Sequence, residues 1–449
     1  MKRVLSVVIL AALLLALVPV SAQDATEVKV WIAFTDGRLD WAQQKAAEFN
    51  AALPQYNVVV EGYSNYEELF SATALASEQN ALPAVVQYFE VASQDGIDSG
   101  YFKPIADAVA GRADINGIPV NLDDFIGPVA AYYTIDGKFN SMPWNASSAI
   151  MFTNQTILDA AGVESIPSTW AEVDAACELI KAMENGPEFC FPFPNHGWFF
   201  EQWLGQQNAL YANNENGRAE RATEVAFNNP AGVATLAWLK AQKDKGNLYY
   251  SGAKDGDSWT TVDQAFQSQQ VAMAIYSSSD TAIYTNTGKE NGYEVIASFM
   301  PYNQDAEGGW TGNLIGGASL WLVDGLSTEV EDGALSFLFW LTNTENAADW
   351  HKVTGYMPIR LSAVEALEAE GWFEANPNFI VAADQLAQSQ STPATSGALL
   401  GSFPAIRSIV TSAVDTVLLT ADADPQTVLD EAAAAANTTL AEYNALNAG

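Results

Sequence analysis

The stretch Glu27-Val28-Lys29-Val30-Trp31-Ile32-Ala33-Phe34 decides the fold. It alternates along its length and is rich in Val, Trp and Ile, which reads as a β-strand. Working outward, residues 39–49 form an amphipathic helical stretch, 57–61 is again strand-like, 66–77 reads as helix, and 83–89 is a short apolar run. The order is βαβαβ, and strands joined by crossover helices build a parallel sheet. A second series opens with the extended stretch 150–152. It takes in the helix after Ser168, the helix after Pro230 with Trp238 and Leu239, and 271–276 as a buried strand. Strand-like segments return at 293–299 and 318–323, and 425–446, with its alanine run at 432–436, is helix-biased.

At the N-terminus, Lys2 and Arg3 precede an apolar run over 4–18, and Val20-Ser21-Ala22 offers a small-residue cleavage site. Residues 1–22 therefore read as a cleaved secretory signal, with maturation at Gln23 and an exported, periplasmic or extracellular product. The run is shorter than the roughly 20 residues that span a bilayer, and no cysteine follows the cleavage site to accept a lipid anchor. Removing residues 1–22 from 449 leaves 427, more than one core usually supports, so two lobes are expected. The signal holds two of the 19 basic residues and no acid, so the mature chain has 17 bases against 54 acids, a net charge of −37. Nucleic acid and anionic membrane surfaces are poor partners for such a chain.

The two cysteines, Cys177 and Cys190, lie 13 apart in a chain bound for an oxidising compartment; one local disulfide is the favoured reading, with two buried free thiols as its alternative. Thr169-Trp170-Ala171-Glu172 has the form of a capping box, placing Val173, Ala176, Cys177 and Ile180 on one helical face. His196 and His351 are the only histidines and neither has metal spacing to a cysteine, so no metal site is expected. The chain has no G-x-S-x-G, H-E-x-x-H or P-loop pattern, and Gly316-Gly317 lacks the continuation that a dinucleotide site needs. No catalytic residues and no cofactor are assigned, and the chain reads as a non-enzyme. Paired carboxylates leave a secreted glycosidase as the enzyme alternative. Among 13 Trp, 16 Tyr and 21 Phe, most serve the core, but Tyr66 at a helix start, Trp198 in a loop-like stretch and Tyr356 beside Gly355 sit at punctuated positions suited to a cleft.

Several segments then carry a specific likeness. They are Asn65-Tyr66-Glu67, Pro83-Ala84-Val85-Val86-Gln87-Tyr88-Phe89-Glu90-Val91, Pro143-Trp144-Asn145-Ala146-Ser147-Ser148, Gly197-Trp198, Ala272-Met273 leading to Ser277-Ser278, Ile315-Gly316-Gly317-Ala318-Ser319-Leu320-Trp321, Asn346 through His351 to Thr354-Gly355-Tyr356-Met357-Pro358-Ile359, and Ile406-Arg407. With these the chain resembles the extracellular solute-binding proteins of ATP-driven importers, the cluster that includes maltose-binding protein, and within it the glycerol-3-phosphate-binding branch. The resemblance implies an α/β, two-lobed periplasmic-binding-protein-like fold, each lobe a mainly parallel sheet flanked by helices, with hinge crossovers. The lobes would be 23–142 with 293–355, and 143–292 with 356–449. It implies ligand-binding roles for Tyr66, Glu90, Ser147, Trp198, Ser277 or Ser278, Gly317, Tyr356 and Arg407. The ligand would be glycerol-3-phosphate or a glycerophosphodiester such as glycerophosphocholine, and an oligosaccharide is the wider alternative. Arg407 would offer a planar fork to phosphate, and Glu90, which would repel phosphate, would sit at the polyol end. A membrane permease is the implied partner, and the chain would act as a monomer. One departure stands out: where the family shows Trp-His-Ser-type residues, this chain has Ile32-Ala33-Phe34-Thr35.

Overall fold

The computed structural model describes residues 25–447, so the signal-peptide reading of 1–22 lies outside the described residues. Nine strands position the site: β1 (Thr26–Ile32), β2 (Tyr56–Gly62), β3 (Val85–Phe89), β4 (Phe102–Lys103), β5 (Met142–Ser147), β6 (Ala149–Asn154), β7 (Met273–Ser277), β8 (Val295–Phe299) and β9 (Gly316–Val323). The helices that matter here are α1 (Gly37–Ala52), α2 (Tyr66–Glu78), α3 (Gly127–Tyr133), α4 (Trp170–Lys181), α5 (Gly197–Gln206), α6 (Thr281–Asn291), α7 (Thr344–Thr354), α8 (Phe403–Leu419) and α9 (Pro425–Leu446).

The first sheet runs β2-β1-β3-β9-β4, with β5 also paired to β9. The βαβαβ reading holds: β1 lies parallel to β2, with Val28 opposite Val58, and parallel to β3, with Val30 opposite Val85. Val28, Val30 and Ile32 are buried, as the period-two pattern requires. β9 enters antiparallel, with Ala318 opposite Phe89 and Gly317 opposite Ala146.

The second sheet, β7-β6-β8, differs from the expected mainly parallel arrangement. Both neighbours of the central strand β6 run antiparallel to it, Ile150 facing Tyr276 on one side and Phe299 on the other. The reason is topological: β6 enters from the first sheet and occupies the middle position, while β7 and β8, joined through α6, flank it in the opposite direction. The expected lobe limits shift accordingly. β8, assigned above to the first lobe, pairs with β6 in the second sheet, and β5, assigned to the second lobe, pairs with β9 in the first.

A single residue, Ser148, joins β5 to β6 and so crosses between sheets. Its hydroxyl donates to the carbonyl of Leu314 at 3.1 Å, on the segment that returns from β8 to β9, and accepts from Gln385 Nε2 at 3.2 Å. The two crossings are thereby tied side by side. The C-terminal helices α8 and α9 pack on each other and on the helix Pro230–Asp244, and α9 buries Leu429, Ala432, Ala433, Ala436 and Leu440 along one stripe.

Helix α4 starts with the capping box, Thr169 and Glu172 satisfying each other's backbone amides, and buries Val173, Ala176, Cys177 and Ile180. Cys177 is bonded to Cys190, whose own backbone pairs with Asn247 and Ala272, so the bridge closes a 13-residue loop onto the second sheet. Replacing both cysteines by Ser is expected to lower stability by about 3 kcal/mol, through loss of loop closure. Wild-type protein folded under oxidising conditions should release no titratable thiol in denaturant; two thiols would contradict the pairing.

Candidate functional site

Between the two sheets lies a cavity of ≈ 340 Å3. Of the residues expected from sequence, Tyr66, Glu90, Ser147, Trp198, Ser277, Gly317, Tyr356 and Arg407 all line it. Ser278 does not: its hydroxyl accepts the Ser148 amide at 3.2 Å, and its carbonyl lies where a side chain on Gly355 would be 2.6 Å away.

Each wall has a local cause. Tyr66 opens α2 behind the N-cap Asn65, whose side chain accepts from the Glu68 amide at 2.8 Å. Its ring stacks on Phe89 at 5.4 Å, and its hydroxyl accepts from Asn145 Nδ2 at 2.8 Å. Asn145 in turn accepts from Gln87, whose side-chain oxygen accepts from Ala33 N, so one chain of hydrogen bonds fixes β1, β3, β5 and α2 together. Burial pushes the Tyr66 phenol well above its ordinary pKa, leaving a neutral hydroxyl. Tyr356 follows α7 and stacks on Trp350 at 5.6 Å. His351 does not face the cleft; its Nδ1 bonds the Tyr356 carbonyl at 2.8 Å, and burial lowers its pKa to about 4.

Gly317 has φ +102°, and a Cβ there would stand 1.8 Å from the Asn145 carbonyl, so the β9–β5 approach admits only glycine. Gly316 makes room for Trp198: a Cβ would lie 2.5 Å from the indole. Trp198 is not a loop residue. It lies in the first turn of α5, capped by His196, and is 4% exposed within a hydrophobic cluster. Its Nε1 reaches the Ile315 carbonyl at 3.4 Å, and Trp259 stands 6.3 Å away. Gly197 reads as a loop marker in sequence, yet it is the helix start, where a Cβ would press on Arg407 at 2.4 Å.

Arg407 on α8 is buried, with Nε donating to Glu201 Oε1 at 2.7 Å, and Nη2 to Glu201 Oε2 at 2.9 Å and to Glu90 Oε1 at 2.7 Å. The separation expected between Glu90 and Arg407 is therefore absent; they are paired. Burial alone would lower the Arg407 pKa, but Glu201 and Glu90 outweigh it and raise it, while burial pushes Glu201 up despite Arg407. This triad carries a net charge of −1 when ionised.

Residues that the sequence reading missed form a second pole. Arg38, on α1, lies 4.4 Å from the Phe34 ring centroid, and Phe34 is flanked by Tyr66 at 6.4 Å and Tyr356 at 6.3 Å. Arg38 Nε donates to Asp36 at 2.9 Å, and its Nη1 faces Asp280 at 3.9 Å. A cation thus stands three residues beyond Ile32-Ala33-Phe34-Thr35, the stretch that lacks the Trp-His-Ser-type residues. Asp263 and Asp280 complete the lining beneath Trp259 and Tyr276. Burial, then the neighbouring Asp280, pushes the Asp263 carboxyl up to about 7. Among the described residues no cluster of His, Cys, Asp or Glu is arranged to hold a metal, and no helix is long and apolar enough to cross a membrane.

Comparison with known proteins gives consistent findings. Residues 44–381 match the family described as bacterial extracellular solute-binding protein. The chain is 31% identical over 428 residues, 94% of either chain, to the sn-glycerol-3-phosphate-binding periplasmic protein UgpB of Escherichia coli K12. It is 32% identical over 403 residues, 89% of either chain, to its namesake in Salmonella typhimurium LT2. In fold it is similar to UgpB from Mycobacterium tuberculosis, solved with glycerophosphocholine, at TM-score 0.77 and 20% identity over 93% of this chain and 99% of that one. It is similar also to the GacH receptor of Streptomyces glaucescens, solved unliganded and with acarbose, at TM-score 0.76 and 19% identity over 93% and 99%.

Two outcomes follow from this geometry. Trp198→Ala should cost about 3–5 kcal/mol of stability as well as altering the cleft, because the ring is a buried aromatic; an unchanged denaturation midpoint would contradict its packing role. Asp263 has a folded-state pKa above its unfolded value, so its contribution to stability is present below about pH 4 and is lost as pH rises through about 7. Asp263→Asn should therefore exceed wild type by about 1–3 kcal/mol in urea unfolding at pH 8, with the gap closing by pH 4. A gap that does not change with pH would contradict the assignment.

Proposed function

This chain belongs to the bacterial extracellular solute-binding protein family, and we propose that its cleft captures glycerol-3-phosphate or a glycerophosphodiester between two closing lobes for delivery to a membrane permease. The observation that carries the reading is the convergence of Tyr66, Glu90, Ser147, Trp198, Ser277, Gly317, Tyr356 and Arg407 on one cavity, in a chain similar across 94% of its length to a glycerol-3-phosphate-binding protein. The protein acts as an exported monomer, returns its ligand unchanged and uses no cofactor.

The cleft has two poles, each with an arginine beside carboxylates. Glu90 and Arg407, held side by side, offer an acceptor and a donor to vicinal hydroxyls, and Trp198 offers a face to the carbon chain. The phosphate belongs at the other pole, against Arg38 and the hydroxyls of Tyr66 and Tyr356, with the open backbone of Gly317 and the hydroxyls of Ser147 and Ser277 nearby. Closure follows because the ligand gains its second-lobe contacts only when the lobes meet.

A second reading, a neutral oligosaccharide, is favoured by one observation: Asp36, Glu67, Glu90, Asp263 and Asp280 line the cavity against only Arg38 and Arg407. Calorimetric titration with glycerol-3-phosphate, glycerophosphocholine and maltose separates the two. Wild type should bind the phosphate compounds, and Arg38→Ala should weaken them at least about tenfold, the worth of one charge-assisted hydrogen bond. Wild type that binds maltose and neither phosphate compound would overturn the phosphate reading and leave the sugar one.

A further inference from the structure

The carboxylates of the cleft differ in how they are neutralised. Glu90 and Glu201 are gripped by Arg407, whereas Asp36, Asp263 and Asp280 share the surroundings of Arg38. Arg38 commits Nε and Nη2 to Asp36, and its Nη1 stops 3.9 Å from Asp280, beyond hydrogen-bond reach. Asp280 is nevertheless 8% exposed and lines the cavity. The Ser279 hydroxyl donates to its Oδ1 at 3.2 Å, and among the described residues none donates to its Oδ2. Asp263 has no ion-pair partner among the described residues. Burial pushes both carboxyls up against the pull of Arg38, Asp263 to about 7. A buried carboxylate that no protein cation neutralises has the chemistry to receive one from a ligand.

The wall beside these carboxylates is aromatic. The helix Asp255–Gln267 buries Val262, Ala265 and Phe266, and lines the cleft with Gly256, Trp259, Thr260 and Asp263, spaced three and four apart on one face. Trp259 is half-buried, and Tyr276 meets it edge to face at 5.0 Å. The Tyr276 hydroxyl donates to the Trp259 carbonyl at 3.3 Å and stands beside the Asp280 carboxylate, so indole and carboxylate flank one tyrosine. Thr260 is exposed, which puts this end of the cavity at its mouth. An aromatic face next to carboxylates attracts an alkylammonium group by charge and by the ring quadrupole, whereas a neutral polyol gains nothing from the charge.

Resting on the placement of phosphate at Arg38 given above, we propose that this end of the cleft is a cation subsite, where Asp280 and Trp259 take the ammonium of a zwitterionic glycerophosphodiester. The cleft then prefers choline or ethanolamine head groups to neutral ones. Asp263, whose Oδ1 is enclosed, acts through its charge and not by contact. Charge balance favours the same ligand class. With Asp36, Asp263 and Asp280 ionised against Arg38, three negative charges face one positive. A phosphate monoester would add about −1.5 to −2 more. A diester with an ammonium head adds none, and its two-carbon linker keeps cation beside phosphate, as Asp280 stands beside Arg38.

Calorimetric titration of the mature protein with glycerophosphocholine, glycerophosphoethanolamine, glycerophosphoglycerol and glycerol-3-phosphate tests this, because the three diesters share their diol and phosphate and differ in head-group charge. The two ammonium compounds should bind wild type at least about tenfold more tightly than glycerophosphoglycerol. Asp280→Asn and Trp259→Leu should each cut that preference, read as a ratio of Kd values within one protein, to about threefold or less. In a crystal grown with glycerophosphocholine, the nitrogen is expected within about 6 Å of the Trp259 ring centroid. Equal binding of the three diesters, a preference that survives both substitutions, or a nitrogen lying away from Trp259 and Asp280 would overturn the cation subsite and leave the phosphate reading standing. Wild type that binds none of the four compounds would overturn both.

Discussion

The buried triad of Arg407, Glu90 and Glu201 constrains everything around it. Glu90 stands just beyond the end of β3, Glu201 lies on α5 and Arg407 on α8, so three segments from distant parts of the chain are held within hydrogen-bond distance of one guanidinium. Burying three charges is expensive, and the attraction offsets that cost only with good geometry. Here Glu201 is gripped through both its oxygens and Glu90 through one. Removing the arginine would strand two carboxylates in a wall that also contains Trp198 and Phe403. The triad ties α5 and α8 to the end of β3, and together these segments form the floor of the cleft.

From that floor the cleft rises to a second pole, where Arg38 lies over Phe34 with Tyr66 and Tyr356 on either side and Asp36 and Asp280 beside its guanidinium. Arg38 is the less buried of the two arginines and stands beside two tyrosines, whereas Arg407 is gripped by Glu201 and Glu90. The crossings at Ser148 and Leu314, one residue long on one strand and hydrogen-bonded to each other, join the two sheets side by side.

Much of this was legible in the chain itself. The first sheet announces itself because β1 alternates in period two, and the flanking helical stretches leave few ways to return. The order β2-β1-β3 then follows. The antiparallel second sheet did not, because the neighbours of β6 come from residues over 100 positions away, and nothing local to 150–152 encodes which partners it meets. In the site, Tyr66, Ser147, Gly317 and Tyr356 were visible as members of ordered segments. Arg38, Glu201, Asp263 and Asp280 were not, since each is a single charged residue on or beside a helix, indistinguishable from a solvated one until the fold turns it inward. Asp36-Gly37, a cap before an amphipathic run, is the signal that would have placed Arg38 in the first turn of α1. Trp198 reads as a loop residue in sequence because Gly197 has the form of a break, whereas close approach of α5 to Arg407 is what requires the glycine.

The central claim concerns how a phosphorylated polyol lies between the two poles, and a crystal structure of the mature protein grown with glycerol-3-phosphate tests it most directly. The account predicts closed lobes, phosphate oxygens on Arg38, Tyr66 and Tyr356, the carbon chain against Trp198, and the hydroxyls on Glu90 and Arg407. Phosphate seated on the Arg407 triad, or a cleft that stays empty at saturating ligand, would contradict it.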